Sequence, residues 1–321
     1  MIIFLNSKES RMHCDTSKIG LAIFSFNRPK HLGVLYKTIQ NLNLENKYCF
    51  HLFNDGPKQS ETPEIRLVRT QTEEFTGSLQ NFELSRQTEN LGLAKSIHLG
   101  LDSVFQNHKK AIILEDDIIP TGTFFEVMEF YLNNQEHNPT IGSITGANTT
   151  KFPPFKRRDF LISKRHSSWG WATWADRWLS IDWKYVEREF IRDKSVRSKV
   201  RMVSPDLVRY AELQTSGKID SWATTMNIDF IKRDLLCIVP RTNLILNIGL
   251  DGSGTHGANS GGRNLIHDAL DQSNLRIEYS PTVEQSEIYN LLVRKDNSLM
   301  RNFPKGNILR LLGKLKSLIT G

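Results

Sequence analysis

The chain has 321 residues, 39% hydrophobic and 24% charged, with a net charge of +7 at pH 7. This composition belongs to a globular protein with one large domain or two small ones, and no stretch approaches the 18 or more apolar residues of a transmembrane helix. The last 21 residues hold five Lys and Arg and no acid, so they supply +5 of the +7, a tail-borne basicity that argues for surface docking and against a nucleic-acid groove.

Residues 19–26 are a near-continuous apolar run, the pattern of a buried parallel strand. Asn27, Arg28 and Pro29 then predict a helix start, with Leu32, Leu35, Ile39 and Leu42 at helical spacing. A second strand over Cys49–Phe53 stops at Asn54-Asp55-Gly56-Pro57, a turn signal. Past a polar stretch come Phe82–Gln87 and Asn90-Leu91-Gly92, followed by a helix with Leu93, Ile97, Leu101, Val104 and Phe105 on one face. Amides at that helix start, with Lys95 or His98, would suit a phosphate, and a plain turn and cap is the simpler account. Ile112–Leu114 is the next strand, ending in Glu115, Asp116 and Asp117, and a helix with Phe124, Phe125, Met128 and Tyr131 follows. Strand and helix alternate four times in about 130 residues, which implies a parallel α/β sheet.

In such a sheet ligands bind at the carboxyl ends of the strands. Asn27/Arg28, Asn54/Asp55 and Glu115–Asp117 would meet there. Adjacent carboxylates repel unless something positive joins them, and a divalent cation with oxygen ligands is one candidate. An acidic cap on the helix after Pro120 is the other reading.

After residue 145 the pattern changes. Lys151–His166 is basic and proline-containing and reads as a loop. Five of the six tryptophans fall between Trp169 and Trp183. Indoles around Gly170 would offer flat faces to a sugar, while the near-helical spacing of Trp171, Trp174 and Trp178 places part of this cluster in the core. Residues 184–217 are charged and helical in character. Asp220 precedes a helix-like run over Ala223–Ile231, either as its N-cap or, in a cleft, as a base for a hydroxyl. Residues 247–257 hold four glycines and His256, either a surface loop or one that closes over a diphosphate or completes a metal shell. Residues 307–319 form an amphipathic helix suited to an anionic membrane or to the protein's own core. Cys14, Cys49 and Cys237 form no CxxC pair, so reduced thiols are expected, with neither a disulfide frame nor a zinc site. The apolar start at Met1 is too short for a signal peptide, so the expected location is cytoplasmic, peripheral on the inner membrane face.

Taken in order, Ser25–Pro29, Asn54-Asp55-Gly56, Asn90-Leu91-Gly92 and Leu114–Asp117 resemble the family 2 glycosyltransferase pattern of the GT-A fold. The acidic triplet followed by Pro120 and Phe124-Phe125, with Asp220-Ser221-Trp222 and Gly252–Gly257, resembles N-acetylglucosaminyltransferase I more closely. Trp169–Trp174 is similar to bacterial sugar transferases of this type, and the resemblance spans residues 19 to about 260.

The resemblance implies an α/β, Rossmann-like GT-A fold with a mostly parallel central sheet and flanking helices. A single catalytic domain would have a nucleotide-sugar half (1–150) and an acceptor half (151–300), plus a basic amphipathic tail (301–321). Asn27, Arg28, Asp55, Lys95, Glu115, Asp116 and His256 would line the donor. Asp117, with His256, would bind Mn²⁺ or Mg²⁺. Asp220 would be the catalytic base, and Trp169, Trp171 and Trp222 would hold the sugars. One departure matters: the eukaryotic pattern has two adjacent aspartates before the tryptophan, and here Ser221 follows Asp220.

The implied activity is metal-dependent, inverting hexosyl or N-acetylhexosaminyl transfer from a nucleoside diphosphate sugar, a UDP-sugar first. The acceptor would be a hydroxyl of a saccharide or lipid-linked carrier in surface polysaccharide synthesis, with membrane contact through 307–319 and no nucleic acid. The rival readings are an inactive glycosyltransferase-like carbohydrate-binding protein and a sugar nucleotidyltransferase. The latter wants a glycine-rich basic loop where this chain has Asn27-Arg28-Pro29. No G-x-G-x-x-G follows any strand, which excludes a Rossmann dehydrogenase.

Overall fold

The computed structural model describes residues 7–12, 14–150, 159–249, 280, 284–285 and 287–298. Its first half runs β1 (Ser7–Met12), β2 (Gly20–Ser25), α1 (Pro29–Asn41), β3 (Cys49–Asn54), α2 (Pro63–Thr76), β4 (Phe82–Gln87), α3 (Leu93–Asn107), β5 (Lys110–Glu115), β6 (Ile118–Pro120), α4 (Gly122–Asn134) and β7 (Ile141–Thr145). The second half continues with β8 (Phe160–Ser163), β9 (Trp171–Trp174), α5 (Ala175–Leu179), a π-helical turn (Val186–Phe190), α6 (Lys194–Val203), α7 (Pro205–Thr215), α8 (Trp222–Lys232), β10 (Leu236–Pro240), β11 (Ile245–Asn247), β12 (Glu284–Gln285) and α9 (Glu287–Asp296).

Ten strands form one sheet in the order β1-β4-β3-β2-β5-β9-β7-β10-β8-β12. Its parallel block is β4-β3-β2-β5, followed by β9, which runs antiparallel to both β5 and β7. The chain is therefore a mixed α/β protein with a mostly parallel central sheet and flanking helices. Strands from both halves of the sequence share that sheet. β6 and β11 pair separately as a short antiparallel ribbon.

The apolar runs are continuous because the parallel strands are covered on both faces. Leu21 and Ile23 of β2 pack with Leu32, Leu35 and Ile39 of α1, while Ala22 and Phe24 pack with Ile97, Leu101 and Val104 of α3. Each fully buried aliphatic side chain of this kind contributes about 1.5–3 kcal/mol. Gly100 lets α3 sit low on the sheet: a Cβ there would lie 2.6 Å from the Phe24 ring. α3 begins at Gly92, whose φ of 76° lies in the left-handed region that glycine tolerates.

Several elements differ from the sequence reading. The polar stretch after Pro57 contains α2, whose Ile65, Val68, Thr72 and Phe75 are buried and whose Thr62 caps the Ile65 amide. Phe160–Ser163 is strand β8 inside the segment read as loop, because all four residues are buried between β10 and β12. The tryptophan run is a strand and then a helix, so Trp171 and Trp174 fall on opposite faces of the sheet.

Candidate active site

α1 and α2 connect strands that step to one side of β2, whereas α3 leads back across it to β5 on the other side. The strand order therefore reverses between β2 and β5, and a crevice opens at their carboxyl ends. A cleft of about 630 Å³ lies there, lined by Asn27 and Arg28 after β2, Asn54 and Asp55 after β3, and Glu115 and Asp116 after β5. Gly92, Lys58, Lys218 and Asp220 complete its rim.

Asp55 is buried and fastens the loop opposite. Its carboxylate accepts from the amides of Gly56 (2.8 Å), Leu91 (2.8 Å) and Gly92 (3.1 Å) and from Asn90 Nδ2 (2.9 Å). Burial pushes this carboxyl upward, and the same amides pull it back. Four donors fill the acceptor sites of one carboxylate. The protein thus occupies the carboxylate oxygens expected to line the donor, and the amides of Leu91 and Gly92 donate to Asp55.

The acidic triplet sits on the turn between β5 and β6, and its positive partner is Arg28. Arg28 Nη1 donates to Asp117 Oδ2 at 2.5 Å and Nε stands 3.6 Å from Asp116 Oδ1. The Phe26 amide also donates to Asp116 Oδ2 at 3.4 Å. One arginine among three carboxylates leaves excess negative charge. Burial pushes Glu115 up to about 8, with Asp117 and Asp116 adding to the rise and Arg28 opposing it. Burial likewise pushes Asp116 up to about 6 against the pull of Arg28. Gly249 lies directly against Asp117 and Arg28, and the Ile248 amide donates to the Asp117 carbonyl at 2.9 Å. The loop after β11 thus starts at the triplet. His256 and residues 307–319 lie outside the described residues.

Ser221, not Asp220, is the N-cap of α8: its hydroxyl accepts from the Thr224 amide at 3.3 Å. Asp220 is exposed at the cleft rim with no hydrogen-bond or ion-pair partner among the described residues. Its carboxylate stands over Gly92, 3.9 Å from where a Cβ on that glycine would lie. On the far side of this segment is a second cavity of about 400 Å³, lined by Ser221, His166, Trp169, Tyr210 and Tyr289. Ile219 lines both cavities.

Of the three tryptophans expected at the sugars, Trp169 lines the second cavity and the other two line neither cavity. Trp171 and Trp222 are 0% and 5% exposed and stack on each other at 5.3 Å, so their faces are consumed by the core. Lys95 is exposed on the outer side of α3, because helical phase turns its neighbour Ser96 toward the cleft instead. His98 packs on Trp183 at 4.6 Å and pairs with Asp102 at 3.4 Å, away from the cleft. Besides Arg28, two lysines line it, Lys58 and Lys218, and the sequence reading missed both; lone exposed lysines in polar turns carry no local signal.

No family model and no curated protein matches the chain. Among solved structures, the fold overlaps Staphylococcus aureus TarS 1–349 at a TM-score of 0.40 and 11% identity, covering 71% of this chain and 59% of that one. It overlaps GlyE, a glycosyltransferase of Streptococcus pneumoniae TIGR4, at 0.37 and 13%, covering 68% and 45%. Galactosyltransferase LgtC, in complex with donor and acceptor sugar analogues, overlaps at 0.36 and 10%, covering 66% and 70%. The chain thus spans less than two thirds of TarS 1–349 and of GlyE. Overlaps of this size leave the activity to be argued from the site.

Proposed function

We propose that the chain is a nucleotide-sugar glycosyltransferase of the GT-A type, moving a sugar to an acceptor hydroxyl with inversion. The observation that carries this reading is the position of Asp220. It has no partner among the described residues and lines a cleft edged by the acidic triplet, while its neighbours Ile219 and Ser221 line the second cavity, which holds Trp169. The donor would occupy the first and the acceptor the second. Asp220 takes the proton of the acceptor hydroxyl as its oxygen attacks the anomeric carbon. The bond to the diphosphate breaks on the opposite face, and its electron pair leaves with the diphosphate. Lys58 and Lys218 stand where they can meet that charge. Trp169 would lie against the acceptor sugar and orient it.

The triplet's carboxylates outnumber their arginine without converging as a ready-made three-ligand group, which suits a hard divalent cation held by one or two carboxylates plus substrate phosphates, as Mg²⁺ ordinarily is. Asp117 would hold it, beside Glu115 and Asp116, and such an ion supplies charge neutralisation on a departing diphosphate. Arg28 would then pass from Asp117 to Asp116 or to a phosphate. A UDP-sugar donor, a saccharide or lipid-linked acceptor and a surface-polysaccharide role belong to the same proposal.

Calorimetric titration of UDP, GDP, dTDP and CDP, with and without Mn²⁺, tests it on wild type and Asp117→Ala. Binding of one diphosphate that needs both the metal and Asp117 is the expected result. No binding of any diphosphate would overturn the donor site in favour of a carbohydrate-binding protein.

A further inference from the structure

A second cluster of polar side chains lies at the opposite, amino ends of the same strands. Cys14 shortly precedes β2, Cys49 and His51 stand two residues apart on β3 and so share one face, and His108 caps the end of α3. One ligand atom from each lies within 4.8 Å of all the others, and no other group of three or more such residues occurs among the described residues.

The imidazoles are oriented for a ligand. His108 Nδ1 lies 2.9 Å from the Lys18 carbonyl and must donate to it, so Nε2 is left as the bare lone pair. That Nε2 is buried without a hydrogen-bond partner in a residue only 1% exposed. His51 repeats the arrangement: Nδ1 stands 3.5 Å from the Glu83 carboxylate, and Nε2 faces Cys49 Sγ at 3.4 Å and Cys14 Sγ at 3.9 Å. The two rings meet edge to face, 4.9 Å between centroids. Gly20 makes the room, since a Cβ there would come within 3.3 Å of the His108 ring.

Outer partners on Nδ1 with Nε2 turned inward is how metal-bound histidines are held. In a tetrahedral zinc site, with Zn–S about 2.3 Å and Zn–N about 2.0–2.1 Å, sulfur and nitrogen stand roughly 3.5 Å apart. The two sulfur–nitrogen distances bracket that value. Soft sulfur with imidazole selects zinc over the hard cations suited to the acidic triplet.

We propose that Cys14, Cys49, His51 and His108 bind a structural Zn²⁺ that ties the approach to β2, the start of β3 and the end of α3 together. The structure joins Cys14 and Cys49 as a disulfide, Cα atoms 5.6 Å apart, where the sequence predicted reduced thiols; zinc binding requires both as thiolates instead. A disulfide, however, has no use for two buried imidazoles aimed at its sulfurs.

The test is elemental analysis of the tag-free chain purified without chelator, alongside Cys49→Ser and His108→Gln. About one zinc per chain in wild type and its loss from both variants are expected. Should the variants fail to fold, wild type decides alone. Cobalt exchanged into it should show thiolate-to-cobalt charge transfer and the intense visible bands of a tetrahedral ion. Metal-free wild type overturns the proposal, whether a non-reducing digest yields linked Cys14 and Cys49 peptides or both thiols alkylate freely. Zinc retained in either folded variant overturns it too.

Discussion

The roles of single residues separate most clearly at Asp220 and Asp55, two aspartates on one cleft. Asp55 has every acceptor site filled by the loop it fastens, while Asp220 has none filled among the described residues. A group that takes a proton needs a free lone pair, so of the two it is Asp220 that suits the proposed base. Asp220→Asn should cut sugar transfer by about 10²–10⁴-fold, the usual weight of a general base, with nucleotide affinity nearly unchanged. Single-turnover rates beside nucleotide titrations measure the two effects apart, and transfer within a few fold of wild type would remove Asp220 from the mechanism. The sequence showed the candidate but not its freedom, because Asp220 and Ser221 are both good caps and only the geometry says which one caps α8. It showed even less of the zinc cluster. Its ligands are scattered from Cys14 to His108, and only the i, i+2 pair Cys49 and His51 is local.

At the level of elements, periodicity revealed what packs on the parallel block and little else. α1, α3, β2, β3 and β5 carry unbroken apolar runs or faces buried on the sheet, and they were legible. β9 was not. It inserts antiparallel between β5 and β7, and its four residues are too few to show a period beside the helix that follows. The tryptophan cluster was misread for the same reason. Trp171 and Trp222 form a stacked pair between β9 and α8, and Trp169 lies just before β9 at a cavity wall. Trp222→Ala should therefore destabilise the fold by about 3–5 kcal/mol, as deletion of a buried aromatic does. Trp169, partly buried against the main core, should cost clearly less stability when changed to Ala than Trp222 does, and Trp169→Ala should raise the KM for acceptor. Equal stability losses in the two variants would place Trp169 in the core as well.

For the whole molecule, one buried imidazole ties stability to pH. His166 lies where β9, α8 and the second cavity meet, 3% exposed, among Trp171, Trp222 and Phe230. Its Nδ1 is 2.9 Å from Ser143 Oγ, whose hydroxyl donates to Cys237 Sγ at 3.2 Å. The ring therefore donates at Nδ1. Burial first, and then Arg165, hold its pKa down at about 3 against an ordinary 6.5. Because the folded state keeps the ring neutral, unfolding takes up a proton below 6.5. The associated stability is complete above that pH and is lost as pH falls toward about 3, on the order of a few kcal/mol in all. Urea midpoints of wild type and His166→Asn, measured from pH 7 downward, should converge; a gap that stays constant would show that His166 titrates equally in both states.

The sheet also has a history written into its order. β8 lies between β10 and β12, so among the described residues one of its hydrogen-bonding edges is closed by residues 284–285. On a ribosome those residues emerge more than 40 residues after β10, when β8 and β10 are already available to pair. Until they arrive, a nascent chain presents an open strand edge, the feature through which polypeptides join one another. Slow decoding just before that point would prolong the exposure, so synonymous codon changes there should lower soluble yield without altering the purified fold.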